Sequence, residues 1–205
     1  MTRLIIIRHG NTFAPGETPR RVGGRTDIPL VESGIEQAKA LGRHFKDESI
    51  VPDIVFTSEL QRTKQTSAYI LEEFSVEPTH KVLEMFNEVD YGPDENQVEE
   101  VVINRIGKEA LQKWDAEAIV PNGWEFDPKK AISDWLEFSQ YIQKEYSDRT
   151  VMAVTSNGIA RFAPHITGEY ENFLREHNIK MKTGSYSDLL CKDQKWSVTT
   201  WNRRP

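Results

Sequence analysis

Several features are scarce in this chain, and each absence excludes a class of protein. The 205 residues contain one cysteine, Cys191, which excludes the internal disulfide framework of a small secreted protein. No apolar run approaches the roughly 20 residues that cross a bilayer, and no signal-peptide pattern precedes the first predicted strand. We therefore expect a soluble protein of the reducing cytoplasm.

The chain also lacks an excess of positive charge, because acidic residues outnumber basic ones and the formal net charge is -6 at pH 7. Nucleic acids and anionic membranes attract basic surfaces, so neither is expected as a partner. Any site for an anion has to be built locally. What the chain does contain, 38% hydrophobic and 28% charged residues, is enough for one sizeable core and too little for two ordinary domains. We expect one domain over residues 1–205.

The stretch "LIIIRHGNT" at residues 4–12 runs from apolar residues directly into Arg8 and His9. A continuous apolar run predicts a parallel strand that is covered on both faces. The two basic side chains then stand at the carboxyl end of that strand, which is where open α/β sheets bind ligands. The position predicts a functional site.

Strand-like and helix-like runs alternate along the chain, a pattern typical of α/β proteins. We expect three layers, with a mostly parallel central sheet and helices on both of its faces. The predicted strands cover residues 3–8, 53–57, 80–84 and 150–155, and "SYSDLLC" and "WSVTTW" predict a final hairpin with "KDQK" as its turn. Apolar residues at every third or fourth position predict helices over residues 32–47, 59–74, 95–116 and 129–146.

Three further stretches deliver polar residues to the same edge of the predicted sheet. "VFTSELQRTKQTSA" passes from strand to helix and places Arg62 in the first helical turn, where backbone N–H groups already favour an anion. "FNEVDYG" follows the third strand and offers Glu88 and Asp90. "VMAVTSNGIARF" ends its strand at Ser156 and Asn157, either of which can cap the helix that follows.

Together these stretches resemble the histidine phosphatase superfamily, which includes the cofactor-dependent phosphoglycerate mutases. The resemblance is carried by "RHGNT" at 8–12, "GRTDIPLVESGIEQA" at 24–38, "TSELQRTKQTSA" at 57–68 and "NEVDYG" at 87–92, and it returns at 150–161. It implies a phosphatase without metal or cofactor whose partner is a small phosphorylated substrate or inorganic phosphate. The implied roles are His9 as nucleophile and Glu88 as proton donor, with substrate binding by Arg8, Arg62, Asn11, Thr12, Gly24, Ser156 and Asn157.

The chemistry of these residue types fits that interpretation. A neutral imidazole can attack phosphorus, and two guanidinium groups can hold the equatorial oxygens by bidentate hydrogen bonds. A carboxylic acid can give a proton to the leaving alkoxide, a role for which Asp90 competes with Glu88. The structural alternatives are a hydrogen-bonded core histidine at His9, ion pairs at Arg8 and Arg62, and a solvated surface carboxylate at Glu88.

This chain departs from the family pattern at two positions. Relatives usually carry a second histidine directly after the strand at 150–155, and Ser156 holds its place here, so the pocket loses a possible cation. Loss of one oriented donor in a comparable site costs roughly 10²- to 10³-fold in rate. Relatives also often carry an asparagine in the loop after "RHGNT". This chain reads "FAPGETPRR" there, with Arg20, Arg21 and Arg25 near enough to compensate.

These departures leave more than one function open. The favoured hypothesis is a phosphatase that acts on a small phosphorylated metabolite or a phosphorylated side chain. The alternative is a non-catalytic phosphate-binding or interaction protein on the same fold. A mutase is less favoured, because "YGPDENQVEE" is acidic where mutases carry basic residues. Residues 92–128 are expected over or beside the pocket, with Trp114 and Trp124 either forming an apolar wall or packing in the core.

Overall fold

A six-stranded sheet forms the centre of the molecule in the computed structural model, which describes residues 1–75 and 77–205. The strands are β1 (Thr2–Arg8), β2 (Ile54–Thr57), β3 (Thr79–Val82), β4 (Thr150–Thr155), β5 (Tyr186–Lys192) and β6 (Lys195–Arg203). Their order is β3-β2-β4-β1-β5-β6. The first four lie parallel to one another, and β5 and β6 form an antiparallel hairpin at one edge. The predicted α/β class and the mostly parallel sheet are confirmed.

Helices cover both faces of this sheet. They are α1 (Glu32–Asp47), α2 (Gln61–Leu71), α3 (Glu99–Ile106), α4 (Lys108–Glu117), α5 (Pro128–Glu145), α6 (Asn157–Ala160) and α7 (Tyr170–Glu176). Side chains of β1 point alternately to the two faces. Ile5 belongs to the apolar cluster on the α1 and α2 side, whereas Leu4 belongs to the larger cluster that includes Trp135 of α5. Two apolar layers therefore fix the sheet from both sides.

The helix predicted over residues 95–116 is wrong as one helix, because the structure divides it at Gly107. Gly107 has φ = 83° and ψ = 155°, a backbone conformation that is open almost only to glycine. The chain turns there and restarts as α4. The regular spacing of Val102 and Trp114 is kept, since both side chains are buried in the same cluster.

Other predicted boundaries differ by a few residues. The strand predicted at 80–84 is Thr79–Val82, and a 3₁₀ turn at Glu84–Phe86 follows it. The helix predicted at 59–74 is the shorter Gln61–Leu71, and the strand predicted from residue 53 begins at Ile54. The hairpin prediction is confirmed, and its turn places Asp193 and Gln194 at positive φ. Among the described helices, none combines the length and the apolar character that crossing a bilayer requires.

Candidate active site

A cleft of about 770 Å³ opens at the carboxyl end of β1. The side chains that line it come from distant parts of the sequence, because parallel strands deliver their carboxyl ends to one edge of the sheet. The lining includes Arg8, His9, Asn11, Thr12, Arg20, Arg21, Glu88, Tyr91, Trp114, Asp115, Asn157 and Lys180. The structure therefore assembles residues from three of the four stretches that were predicted to share this edge, whereas no residue of "VFTSELQRTKQTSA" lines the cleft.

His9 lies in this cleft with only 6% of its surface exposed. Its Nδ1 stands 2.8 Å from the carbonyl oxygen of Gly10. A carbonyl only accepts hydrogen bonds, so Nδ1 carries the proton and donates it to Gly10. Burial lowers the pKa of His9 well below 6.5, and the positive charges of Arg62 and Arg8 lower it further. At neutral pH the imidazole is therefore uncharged and its Nε2 keeps a free lone pair.

Arg62 and Arg8 lie close enough to His9 to lower its pKa, and of the two only Arg8 lines the cleft. Phosphate binding by both arginines stays a prediction. Arg62 is fully buried in the first turn of α2, where its Nη1 donates to Thr26 O at 2.8 Å and its Nη2 to Gly23 O at 3.1 Å. Arg8 donates from Nη1 to the carbonyl of Met181. Both groups leave Nε without a partner among the described residues.

Burial also perturbs the two guanidinium groups. It lowers the pKa of Arg8 to about 10 and lowers that of Arg62, and the charge of Glu88 acts in the opposite direction on both. Both arginines remain charged at neutral pH. Their only hydrogen-bond acceptors in the described chain are uncharged carbonyls, so their positive charge is free to act on a ligand.

Glu88 lines the cleft, and both of its oxygens are oriented by backbone donors. Val89 N donates to Oε1 at 2.9 Å, and Gly158 N donates to Oε2 at 3.2 Å. A Cβ at position 158 would collide with the carboxylate, so glycine is what allows α6 to approach it. Asp90 is engaged elsewhere, because it pairs with Arg25 at 2.9 Å and accepts from Gly92 N at 2.8 Å. The geometry favours Glu88 over Asp90 as the acid.

Ser156 and Asn157 follow β4, as predicted, but differ in their access to the cleft. Asn157 lines it and accepts from Met181 N through Oδ1 at 2.9 Å. Ser156 is fully buried and does not line the cleft. Ser156 directly precedes α6, and its side chain forms no capping hydrogen bond to the helix. Its hydroxyl has no hydrogen-bond partner among the described residues. A role for this hydroxyl in phosphate binding stays a prediction.

Asn11, Thr12 and Gly24, three further predicted substrate-binding residues, differ in whether they line the cleft. Asn11 and Thr12 line the cleft, and Asn11 donates from Nδ2 to Ser33 Oγ at 3.2 Å. Gly24 does not line the cleft, and its N–H donates to Val89 O at 3.0 Å. Its contact is with the backbone beside Glu88, which is a supporting position for the loop.

The three loop arginines are not equivalent. Arg20 and Arg21 line the cleft, whereas Arg25 is held by Asp90. Arg21 pairs with Glu99 at 3.0 Å, and its guanidinium carbon lies 5.2 Å from the ring centroids of both Tyr91 and Trp124. Compensation for the missing asparagine contact is therefore open to Arg20 and Arg21, which the structure brings to the cleft.

Residues 92–128 lie beside the cleft, and Trp114 serves both of its predicted purposes. Trp114 lines the cleft and is 1% exposed, and its ring packs edge-on against Trp124 at 5.2 Å between centroids. Trp124 packs in the core and donates from Nε1 to Asp94 at 2.7 Å. Asp94 also forms a bidentate ion pair with Arg105 of α3. A buried network thus anchors this segment.

Sequence reasoning did not single out Arg161, which lies in the quoted stretch "VMAVTSNGIARF". The signal available in the sequence was an arginine in an otherwise apolar segment after a strand. The structure buries this arginine fully. The remaining histidines, at positions 44, 80, 165 and 177, do not line the cleft. Among residues 1–75 and 77–205, no group of three or more histidine, cysteine or acidic side chains is arranged to hold a metal ion.

Comparison with known proteins supplies a family. Residues 4–204 match the family model of the histidine phosphatase superfamily (branch 1). A mycobacterial glucosyl-3-phosphoglycerate phosphatase, solved with VO3, shares 21% identity and a TM-score of 0.78, covering 98% of each chain. The α-ribazole phosphatase of Shigella flexneri shares 22% identity and a TM-score of 0.74, covering 98% of this chain and 96% of its own.

A phosphoserine phosphatase mutant of Entamoeba histolytica, solved with phosphoserine, shares 20% identity with this chain and a TM-score of 0.75. The alignment covers 98% of this chain and 97% of that one. TM-scores of 0.74 to 0.78 show that these proteins share the fold of this chain over nearly their whole length.

Proposed function

The chain belongs to the histidine phosphatase superfamily, and from this premise we propose that it hydrolyses phosphomonoesters through a phosphohistidine at His9. The observation that carries the proposal is the state of the imidazole. Nδ1 is committed to Gly10 O at 2.8 Å, and the lowered pKa leaves Nε2 unprotonated in the cleft. Binding an anion requires no such nucleophile, because the guanidinium groups would suffice.

The first step transfers the phosphoryl group to the enzyme. His9 Nε2 forms a bond to phosphorus while the bond from phosphorus to the ester oxygen breaks, and Glu88, entering this step protonated, gives its proton to the departing oxygen. Arg8 and Arg62 balance the charge on the equatorial oxygens, which is most of what phosphoryl transfer asks of a protein. The products are an alcohol, a Glu88 carboxylate and phosphorylated His9.

The second step releases phosphate. The Glu88 carboxylate accepts a proton from a water molecule, whose oxygen attacks phosphorus as the bond to Nε2 breaks. Inorganic phosphate leaves, and both His9 and Glu88 return to their starting states. The hydrogen bonds from Val89 N and Gly158 N support this cycle, because they keep the same carboxylate in place for both proton transfers. The chemistry proposed here requires no metal ion.

The substrate class that we propose is a small molecule or side chain that carries a phosphomonoester. The structural relatives are named as phosphatases of glucosyl-3-phosphoglycerate, α-ribazole phosphate and phosphoserine, and all three names describe phosphomonoesters. The cleft of about 770 Å³ has room for more than a phosphoryl group. Its lining includes the edges of Tyr91 and Trp114, which are 5% and 1% exposed.

The proposal is tested by a screen of phosphomonoesters with purified protein in the presence of EDTA. Turnover is expected with the wild type, and His9→Ala is expected to lose about 10⁴-fold or more, as removal of a nucleophile does elsewhere. Acid-labile phosphate on His9 in rapidly quenched protein is the direct signature. His80→Ala is the matched control, since His80 lies outside the cleft with Nε2 at 3.0 Å from Thr57 Oγ1.

Two results would reject this function. Turnover that survives in His9→Ala would remove the proposed nucleophile. Tight phosphate binding without turnover of any phosphomonoester would instead favour the non-catalytic phosphate-binding protein, for which the serine at position 156 is the supporting observation.

A further inference from the structure

Arg161 is a further buried arginine beside the cleft, and the function proposed above assigns it no role. Its side chain is fully buried, and Arg161 itself does not line the cleft. Nε donates to Asn157 O at 3.3 Å, and Nη1 donates to the carbonyl of Trp114. The guanidinium carbon lies 3.9 Å from the centroid of the Trp114 ring. The two hydrogen bonds to backbone carbonyls and the contact with the Trp114 ring fix the plane of the guanidinium group.

The guanidinium group of Arg161 forms no ion pair with the described residues. Its two hydrogen-bond acceptors are carbonyls, and Nη2 has no partner among the described residues. A buried charge without a counter-ion is costly, so such groups are normally paired or bind a ligand. Arg105 is a useful contrast, because its guanidinium meets the Asp94 carboxylate directly.

The surroundings of Arg161 place it against the cleft. Trp114 and Asn157, the two residues whose carbonyls it holds, both line the cleft. Burial lowers the pKa of Arg161, and Tyr91, Glu88 and Asp115, which all line the cleft, act on it in the opposite direction. Burial is likewise the main cause of the lowered pKa of Arg8, and the positive charge of Arg161 lowers it further.

We propose that Arg161 is an anion-binding residue of the cleft, whose free Nη2 donates to a negatively charged oxygen of the bound phosphorylated substrate. It thereby supplies a buried positive charge directly after α6, whereas Ser156, directly before α6, provides only a hydroxyl. The inference rests on the proposed function and deepens it, because it adds a third guanidinium to Arg8 and Arg62. The ligand oxygen belongs to the phosphoryl group or to a carboxylate of the same substrate.

The wild-type protein can be used for the first test. The guanidinium N–H signals of Arg161 and Arg105, assigned through bonds from the backbone, are followed by NMR during titration with inorganic phosphate and with 3-phosphonopropionate, which cannot be hydrolysed. The ring signals of His9 report occupancy of the cleft. Arg161 signals are expected to shift with the same midpoint as His9, while Arg105 signals stay fixed.

The two ligands separate the possible sources of the oxygen. A shift with both ligands assigns the phosphoryl group, and a shift with 3-phosphonopropionate alone assigns the carboxylate. Arg161 signals that stay fixed while His9 responds would overturn the inference and leave the proposed function standing. If neither His9 nor Arg161 responds to any phosphate ligand, the phosphate site itself is refuted.

Matched variants give a second test with a readout that a purely structural role would not produce. Arg161→Gln removes the charge, and its dissociation constant for phosphate is expected to rise at least about tenfold, the effect of losing one hydrogen bond to a charged group. Arg161→Lys retains the charge and is expected to lose clearly less. Neither variant can reproduce the two carbonyl bonds, so equal losses of phosphate affinity in the two variants would indicate a structural role and overturn the inference.

Discussion

Two regions of this molecule bury charged side chains, and they treat the charge in opposite ways. Within the segment 92–128, the buried Asp94 carboxylate forms a bidentate pair with Arg105 and accepts a hydrogen bond from Trp124 Nε1 at 2.7 Å. Beside the cleft, the buried Arg62 and Arg161 donate only to backbone carbonyls, and each keeps a nitrogen without a partner in the described chain.

The difference teaches how a buried charge can be interpreted. A paired and fully hydrogen-bonded carboxylate and guanidinium neutralise each other, which suits a structural anchor. Burying a guanidinium that meets only carbonyls destabilises the empty protein unless a ligand compensates. These two arginines are therefore suited to pair with an anionic ligand, which in our proposal is the phosphate group of the substrate.

The largest expected effect distinguishes the two carboxylates of "NEVDYG". Glu88→Gln removes the acid and is expected to slow hydrolysis of an alkyl phosphate by about 10²- to 10⁴-fold. In single-turnover measurements of the first step, the loss should be much smaller with p-nitrophenyl phosphate, because its leaving group needs no proton. Asp90→Asn alters the partner of Arg25 outside the cleft, so it is the control and should leave both rates nearly unchanged. Equal losses with the two substrates in this first step would contradict proton donation by Glu88.

A smaller effect is expected from exchanging the two kinds of arginine for methionine. Arg62→Met should weaken binding of phosphate or vanadate at least about tenfold, since a charge-assisted bond is lost. Arg105→Met should leave that affinity nearly unchanged but lower the free energy of unfolding by about 1–3 kcal/mol, because the buried Asp94 loses its cation and keeps only the hydrogen bond from Trp124. Calorimetric titration and denaturant unfolding measure the two quantities. An Arg62→Met protein with wild-type affinity would exclude Arg62 from the site.

The smallest expected effect concerns the protonation of His9. Burial and the charges of Arg62 and Arg8 hold its pKa below 6.5, so the imidazole gains a proton only in more acidic solution. Arg62→Met removes one positive charge, and the pKa is expected to rise while staying below that of a free histidine, because burial remains the largest cause. NMR titration of the His9 ring measures the shift. Arg105→Met is the control, and a shift of the same size there would show that the effect is not local.

Much of this arrangement could be predicted from local sequence patterns. Apolar runs that end in polar residues located β1 and β4, and strand carboxyl ends share an edge, so Arg8, His9 and Asn157 were predicted at one site. The division of residues 95–116 at Gly107 was missed because helical spacing of apolar residues continues across the break.

The sequence could not show which side chains from distant segments bind each other. Whether Asp90 or Glu88 faces the cleft depends on Arg25, which lies far away along the chain. Ser33 and Glu36 predict a capping box, yet α1 begins after Val31 without a side-chain cap, and Ser33 instead accepts a bond from Asn11. Such choices follow from tertiary contacts that compete with local propensity.

The position of β1 in the sheet also affects how the protein reaches its folded state during synthesis. β1 is made first, but its neighbours are β4 and β5, and Arg8 stands opposite Thr155. Non-local pairings of this kind slow folding, and a nascent chain presents its early segments before their partners exist. The apolar strand that carries His9 therefore leaves the ribosome without either neighbour and stays unpaired until residue 150 and beyond have been synthesised. In the cell, this strand is the part of the chain most in need of protection from aggregation before the cleft exists.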